Sequence, residues 1–229
     1  LLPLYFVQIV YSRCRMAATT PMASMAISTV VVMLLSSAMA AHASGGGEKA
    51  DNTSLVMEAC KNISGEPFKV GFLPEFCAST LLSEHRSAEA KDCRDLALIT
   101  ADILKVHAAA MVGKVDNMLR EGGRIATKDK IAARALRLCR ADYGGMVNTL
   151  QICHNIIQDF GRKGKHGPTP SELPECIEKT NHNIKDCTAE VCRTSVAGTM
   201  AMANEILEKL AIVSKALIDL FLAGKKDGN

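Results

Sequence analysis

The chain has 229 residues, with 27 Lys and Arg against 24 Asp and Glu, no Trp and few aromatics. A balance so near neutral argues against a nucleic-acid binder, which needs a basic face. The length suffices for a domain with a full core.

Residues 1–15 precede the first methionine, Met16, and read as upstream or unassigned sequence outside the fold. From Met16 the sequence reads as a secretory signal. An apolar run from Ala26 through Val30, Val31, Val32, Leu34 and Leu35 leads to small residues at Ala38-Met39-Ala40-Ala41-His42-Ala43, and no acid occurs before Glu48. The run is too short to span a membrane and ends in an A-x-A cleavage pattern. Removing residues 16–43 as a signal peptide predicts a protein secreted to the extracellular space. The trimmed chain loses Cys14 and keeps Cys60, Cys77, Cys93, Cys139, Cys153, Cys176, Cys187 and Cys192, an even set that predicts a disulfide framework. Asn52-Thr53-Ser54 and Asn62-Ile63-Ser64 are glycosylation sequons, placing candidate sites at Asn52 and Asn62.

After Gly45 to Gly47, a short helical piece is expected near Ser54 to Cys60, and a second begins near Phe72. Four longer helical patterns follow, at 93–120, 129–160, 172–191 and 194–223. In the second of these, Cys139, Tyr143, Met146, Leu150, Cys153, Ile157 and Phe160 step by four and three residues and draw one stripe along one face. The third repeats the step with Leu173, Ile177, Thr180, Ile184, Cys187 and Val191. The fourth does so with Val196, Met200, Ala203, Leu207, Leu210, Leu217 and Phe221. The first is less regular; Leu96, Ile99, Ile103, Val106 and Ala110 are its expected buried face. Gly122-Gly123 and the polar run Gly161 to Pro170 separate helices. Short connections between amphipathic helices favour antiparallel neighbours, so the fold class is all-α, an up-down-up-down four-helix bundle preceded by a short disulfide-closed hairpin. Gly144 and Gly145, inside the second long helix, suggest close approach of a neighbour, with a functional kink as the alternative.

In antiparallel neighbours, residues at equal height have position numbers of nearly constant sum. Cys139 with Cys187 and Cys153 with Cys176 satisfy this and could staple the second and third long helices at both ends. Cys187 lies on the inward stripe and is preferred over Cys192, which stays a rival partner for Cys139. Joining Cys60 to Cys77 would close the amino-terminal hairpin, for about 3 kcal/mol. Cys93 and Cys192 fall too far apart to pair, so their state stays open.

An enzyme would need a constellation that is missing. There is no G-x-S-x-G, no H-E-x-x-H and no phosphate-cradling glycine loop, hence no catalytic residues, metal or cofactor are expected. His182 with Cys187 and Cys192 resembles a zinc set on paper, but disulfide and surface roles suit an oxidising compartment better. His107 and His154 read as packing or surface residues, since no acid is spaced to orient either. A secreted helical lipid carrier is the alternative from another class. Such carriers have adjacent Cys-Cys and Cys-x-Cys pairs, which this chain lacks.

Ala135-Leu136-x-x-Cys139-x-x-x-Tyr143, Phe76-Cys77 closing a hairpin opened by Cys60, and Arg94-Asp95-Leu96-Ala97 opening the first long helix resemble the plant invertase and pectin methylesterase inhibitor family. The resemblance covers residues 52–223, and Cys153 and Cys176 are similar to extra cysteines of its grass members. It implies a helical hairpin and a four-helix bundle, with bridges Cys60–Cys77 and Cys139–Cys187. It also implies inhibition by a one-to-one complex over the target enzyme's cleft, with pectin methylesterase or invertase as partner and neither nucleic acid nor membrane. The family's Ser-Ala-Ala-Leu-Thr-like stretch reads Asn183-Ile184-Lys185-Asp186 here. A Pro-Lys-Phe motif associated with invertase inhibition is replaced by Arg193-Thr194-Ser195-Val196-Ala197, which favours pectin methylesterase. The chain ends near the bundle, so it is not expected to be the inhibitor-like pro-region of a larger esterase.

Asn148, Gln151, Asn155 and Gln158 repeat at three- and four-residue steps along the second long helix. Their mean direction lies about 150° from the Cys139–Phe160 stripe, at about 100° per residue. Neutral amides offer donors and acceptors without the desolvation of a charge, so this row is the candidate target-binding face. The alternative is an ordinary solvated face.

Overall fold

Two short helices, α1 (Lys49–Asn62) and α2 (Leu73–Ser83), are tied by the Cys60–Cys77 disulfide at a Cα–Cα distance of 5.6 Å. Pro74 stands in the first turn of α2, where its missing N–H costs nothing. Val56, Ala59, Cys60 and Ile63 of the α1 segment are buried, as are Leu73, Cys77 and Leu81 of α2. A short 3₁₀ turn (His85–Glu89) leads on to α3 (Cys93–Glu121), α4 (Lys130–Asp159), α5 (Glu172–Val191) and α6 (Ala197–Lys226). The computed structural model describes residues 49–63, 73–121, 129–160 and 172–226, and the side chains of 49–52, 121, 225 and 226 are not among them. The leader over 16–43, the turn at Gly122-Gly123 and the Gly161 to Pro170 connection lie outside the described residues.

Local sequence starts the long helices. The Asp92 carboxylate accepts from the backbone N–H of Arg94 (2.9 Å) and of Asp95 (3.1 Å), while Asp95 reaches back to the N–H of Lys91 (2.8 Å). Asp129 caps α4 through the N–H of Ala132 at 2.9 Å, and its second oxygen accepts from Ser195 Oγ at 2.7 Å. At the far end of α4 the Arg94 guanidinium donates to the carbonyls of Ile157 (3.1 Å) and Gln158, two of the four that a helix end leaves unpaired.

The four long helices pack in the cyclic order α3, α4, α5, α6 and back to α3. Every neighbouring pair is antiparallel. Arg94 meets the end of α4 while Asp116 meets Arg140 near its beginning. Cys139 bonds Cys187 and Cys153 bonds Cys176, with Cα–Cα distances of 4.6 and 5.7 Å. Thr188 meets Asn204 while Glu178 meets Lys215, and Lys114 reaches the Thr199 carbonyl while Ile103 and Leu210 line one recess. The up-down-up-down expectation and all three preferred bridges are therefore found. Cys192 is itself disulfide-bonded, and Cys93 is a half-buried free thiol that burial, then the Asp92 and Glu58 carboxylates, pushes up.

The expected stripes of α4 and α5 are buried, except that Phe160 is only partly covered and meets Phe221 edge-on at 5.5 Å. In α6 the buried face is wider than expected and includes Asn204, Ala211, Val213, Ser214 and Ile218, since α1 and α2 also rest on this helix. The expected face of α3 is partly wrong. Val106 is 64% exposed and Ala110 is exposed, whereas Ala97, Ala101, Leu104, Ala108, Met111 and Val115 make the inward seam. Gly145 lies against α5, where an added Cβ would meet Asn183 Nδ2 at 3.4 Å; Gly144 faces open space and needs no close approach.

A polar network joining three helices is buried inside this core. The Tyr143 hydroxyl donates to Asn204 Oδ1, Asn204 Nδ2 donates to Thr188 Oγ1 at 2.9 Å, and the Tyr143 oxygen lies 3.0 Å from Cys187 Sγ. Tyr143 is fully buried and Asn204 is 3% exposed, so each satisfies a group that would otherwise be desolvated without a partner.

Candidate target-binding face

Asn148, Gln151, Asn155 and Gln158 all lie exposed on the outer side of α4, because the Cys139–Phe160 stripe commits the opposite side to the core. They are not isolated surface amides. Lys105 of α3 donates its Nζ to Gln151 Oε1 at 3.0 Å, and Gln151 Nε2 donates to Asn155 Oδ1 at 3.2 Å. Lys105, Val106, Ala109, Val147, Asn148 and Gln151 line an open recess of about 320 Å³ where α3 meets α4.

Behind Lys105 stands a charge cluster centred on Asp102, whose side chain is 18% exposed. Arg86 of the 3₁₀ turn donates to Asp102 Oδ2 at 2.8 Å, while Asp102 Oδ1 lies 3.5 Å from Lys105 Nζ and 3.0 Å from His154 Nδ1. The His154 contact is at ion-pair distance without hydrogen-bond alignment. Burial pushes the Asp102 carboxyl up, but the Arg86 hydrogen bond and the charges of His154 and Lys105 outweigh it and hold the group below its ordinary value. Arg86 also donates to Glu84 at 3.2 Å. Sequence reasoning missed this cluster, reading His154 as a packing or surface residue. Arg86, Asp102 and His154 come from three separate segments, and no local spacing signals them.

The outer side of α3 continues the face with little charge. Val106, His107, Ala109, Ala110 and Gly113 are exposed, so this apolar helix leaves much of its outer side uncovered. By length and composition alone α3 could cross a membrane; in the bundle its inner side packs on α4 and α6. A second open recess, about 420 Å³, lies beyond Val106 toward α2 and α6, floored by Phe76, Ile103, Ile206 and Leu210.

The remaining candidate residues lie apart from this face. Asn62 is exposed at the end of α1, while Ser64 of its sequon and the Asn52 side chain are outside the described residues. His182 is exposed on α5 with its Nδ1 2.8 Å from the Glu178 carbonyl, and both cysteines grouped with it are oxidised. His107 is exposed at the rim of the larger recess.

The described residues thus form a disulfide-stapled, all-α bundle with a tied helical hairpin and an exposed row of amides on α4. Residues 54–217 match the family model for the plant invertase/pectin methylesterase inhibitor, and the chain belongs to that family. Among solved structures, mutant form A of a pectin methylesterase inhibitor from Arabidopsis is 16% identical, with a TM-score of 0.54 over 73% of this chain and 95% of that one. A pectin methylesterase inhibitor from Arabidopsis thaliana is 15% identical over 73% and 96%, with a TM-score of 0.47. The first of these supports the fold. No protein of curated function matches the chain in sequence.

Proposed function

We propose that this protein is a secreted inhibitor that blocks pectin methylesterase by forming a one-to-one complex over the enzyme's cleft, with the outer face of α4 as the contact surface. The observation that carries the reading is the match of the inhibitor family over residues 54–217, which spans nearly the whole bundle. A disulfide-stapled framework of six described cysteines fits an extracellular location. Absence of the Pro-Lys-Phe motif at 193–197 favours pectin methylesterase over invertase, the other target that the family description names.

The face supports the reading through its chemistry. Four exposed neutral amides can exchange hydrogen bonds with a polar cleft without leaving a buried charge unpaired. Titrating the purified mature protein against both enzymes tests the function, and inhibition of neither at about micromolar concentration would sink it. Replacing Gln151 and Asn155 together with Ala is expected to leave helicity and Tm nearly unchanged, since exposed substitutions move stability by about 0.5 kcal/mol or less. Inhibition of pectin methylesterase is expected to weaken about tenfold or more, the loss of about 1.4 kcal/mol of binding energy. Unchanged inhibition by a folded double mutant would move the contact surface elsewhere on the bundle.

A further inference from the structure

We infer that Lys105 is a positioning residue that sets the polarity of the Gln151–Asn155 pair in the α4 amide row, so that Asn155 presents an N–H donor and the enzyme must meet it with an oxygen acceptor. This rests on the outer face of α4 being the contact surface. A glutamine amide can point either way, but an ammonium group has three donors and no acceptor. With Lys105 Nζ 3.0 Å away, Gln151 must turn Oε1 toward α3. Its Nε2 is then aimed along the helix at Asn155, 3.2 Å away, and Asn155 must receive that bond on Oδ1. Among the described residues nothing accepts from Asn155 Nδ2, so the relay ends in an outward donor.

The relay is anchored from behind. Asp102 holds Lys105 within 3.5 Å while Arg86 holds the other carboxylate oxygen at 2.8 Å, so Lys105, its side chain 27% exposed, is part of an ordered cluster rather than a free surface charge. An exposed glutamine ordinarily loses rotamer freedom on binding; one already held on both sides loses less. Lys105 also brings its charge to the recess already matched by Asp102, which suits a neutral or oxygen-rich partner surface more than a carboxylate-free cationic one. Carbonyl, hydroxyl or carboxylate oxygens on the enzyme are the groups that fit.

Inhibition constants against pectin methylesterase, measured with the full mature chain, test this. Asn155→Asp keeps shape and the acceptor for Gln151 but replaces the outward donor by an acceptor. It is expected to weaken inhibition more than Asn155→Ala does, by about tenfold or more against wild type, because like groups then face each other. Lys105→Met keeps the aliphatic stem and is expected to lose about threefold to tenfold in the wild-type background but nothing further in Gln151→Ala, since the two act through one another. Asn155→Asp inhibiting as well as or better than Asn155→Ala would overturn the donor polarity. Equal loss from Lys105→Met in both backgrounds would show that Lys105 touches the enzyme itself and would overturn its positioning role. Either failure, with Gln151→Ala and Asn155→Ala still weakened, is distinct from failure of the face, in which those variants are unaffected, and from failure of the function, in which wild type does not inhibit.

Discussion

Along its seam with α5, helix α4 is held by two disulfides and by Tyr143, whose hydroxyl reaches Thr188 of α5 through Asn204 of α6, whereas along its seam with α3 its polar ties are Arg94, the Asp102 cluster and the Arg140–Asp116 pair. The first seam is covalent and dry. The second adds to its apolar packing a set of ion pairs within reach of water, with the Arg140 side chain 52% exposed and that of Arg86 41% exposed. Salt screens exposed ion pairs and barely touches a disulfide or a buried hydrogen bond. The difference implies a division of labour, with the α4–α5 seam supplying stability and the α3–α4 seam arranging the surface beside it.

The largest effect should come from cutting the dry seam. Cys139 and Cys187 are 48 residues apart, and removing their cross-link as Cys139→Ala with Cys187→Ala is expected to cost about 4 kcal/mol in the chain-entropy account. Calorimetry should show Tm lowered by about 8–16 °C for a domain of this size. Cys153 and Cys176, 23 apart, should cost somewhat less, about 3 kcal/mol. A Tm unchanged by either pair would mean that the helices are held by packing alone.

A smaller break in the same seam is Tyr143→Phe, which leaves Asn204 Oδ1 buried without its donor. The expected loss is about 1–3 kcal/mol in denaturant unfolding. Adding Asn204→Leu should recover part of it, because two matched apolar groups carry no unsatisfied atom. If the second substitution deepened the loss instead, the contact with Thr188 would be the more important half of the group.

The smallest effects separate the seams by pH. Asp102 sits below its ordinary carboxyl value, so its contribution is present above the unfolded value and lost as pH falls through the lower folded one. Asp142, beside α5, is opposite in sign: burial, then repulsion from Asp186 and Glu190, pushes its carboxyl up. A raised acid contributes fully below its unfolded value and loses that contribution as pH rises through the folded one. Asp102→Asn is therefore expected to lower Tm at about pH 7 and Asp142→Asn to raise it, with both differences shrinking by about pH 3. Thermal unfolding curves that stay parallel across that range would remove the electrostatic contrast between the seams.

Helices α4 and α5 were the most legible parts because each alternates charge and apolarity sharply. Leu173, Ile177, Thr180, Ile184, Cys187 and Val191 are all buried as their spacing predicts. Helix α3 misled for the opposite reason. It carries apolar residues on both sides, so Leu96-Ile99-Ile103-Val106-Ala110 and Ala97-Ala101-Leu104-Ala108-Met111 are equally good stripes by period alone. The amide row was correctly placed on the outside of α4, but its bonds to Lys105 were not foreseen, since the partner lies on another helix.

What the sequence by itself determined is local and periodic: the four long helices, the inner stripes of α4 and α5, and cysteines at heights that pair once those helices run antiparallel. Tertiary structure alone decided which side of α3 meets water, that Asn204 would answer Tyr143 inside the core, and that Arg86, Asp102, Lys105 and His154 would converge behind Gln151. The physical reason is that periodicity records how polar and apolar residues are distributed around one helix, while contacts between helices depend on the rotation each adopts against two neighbours at once.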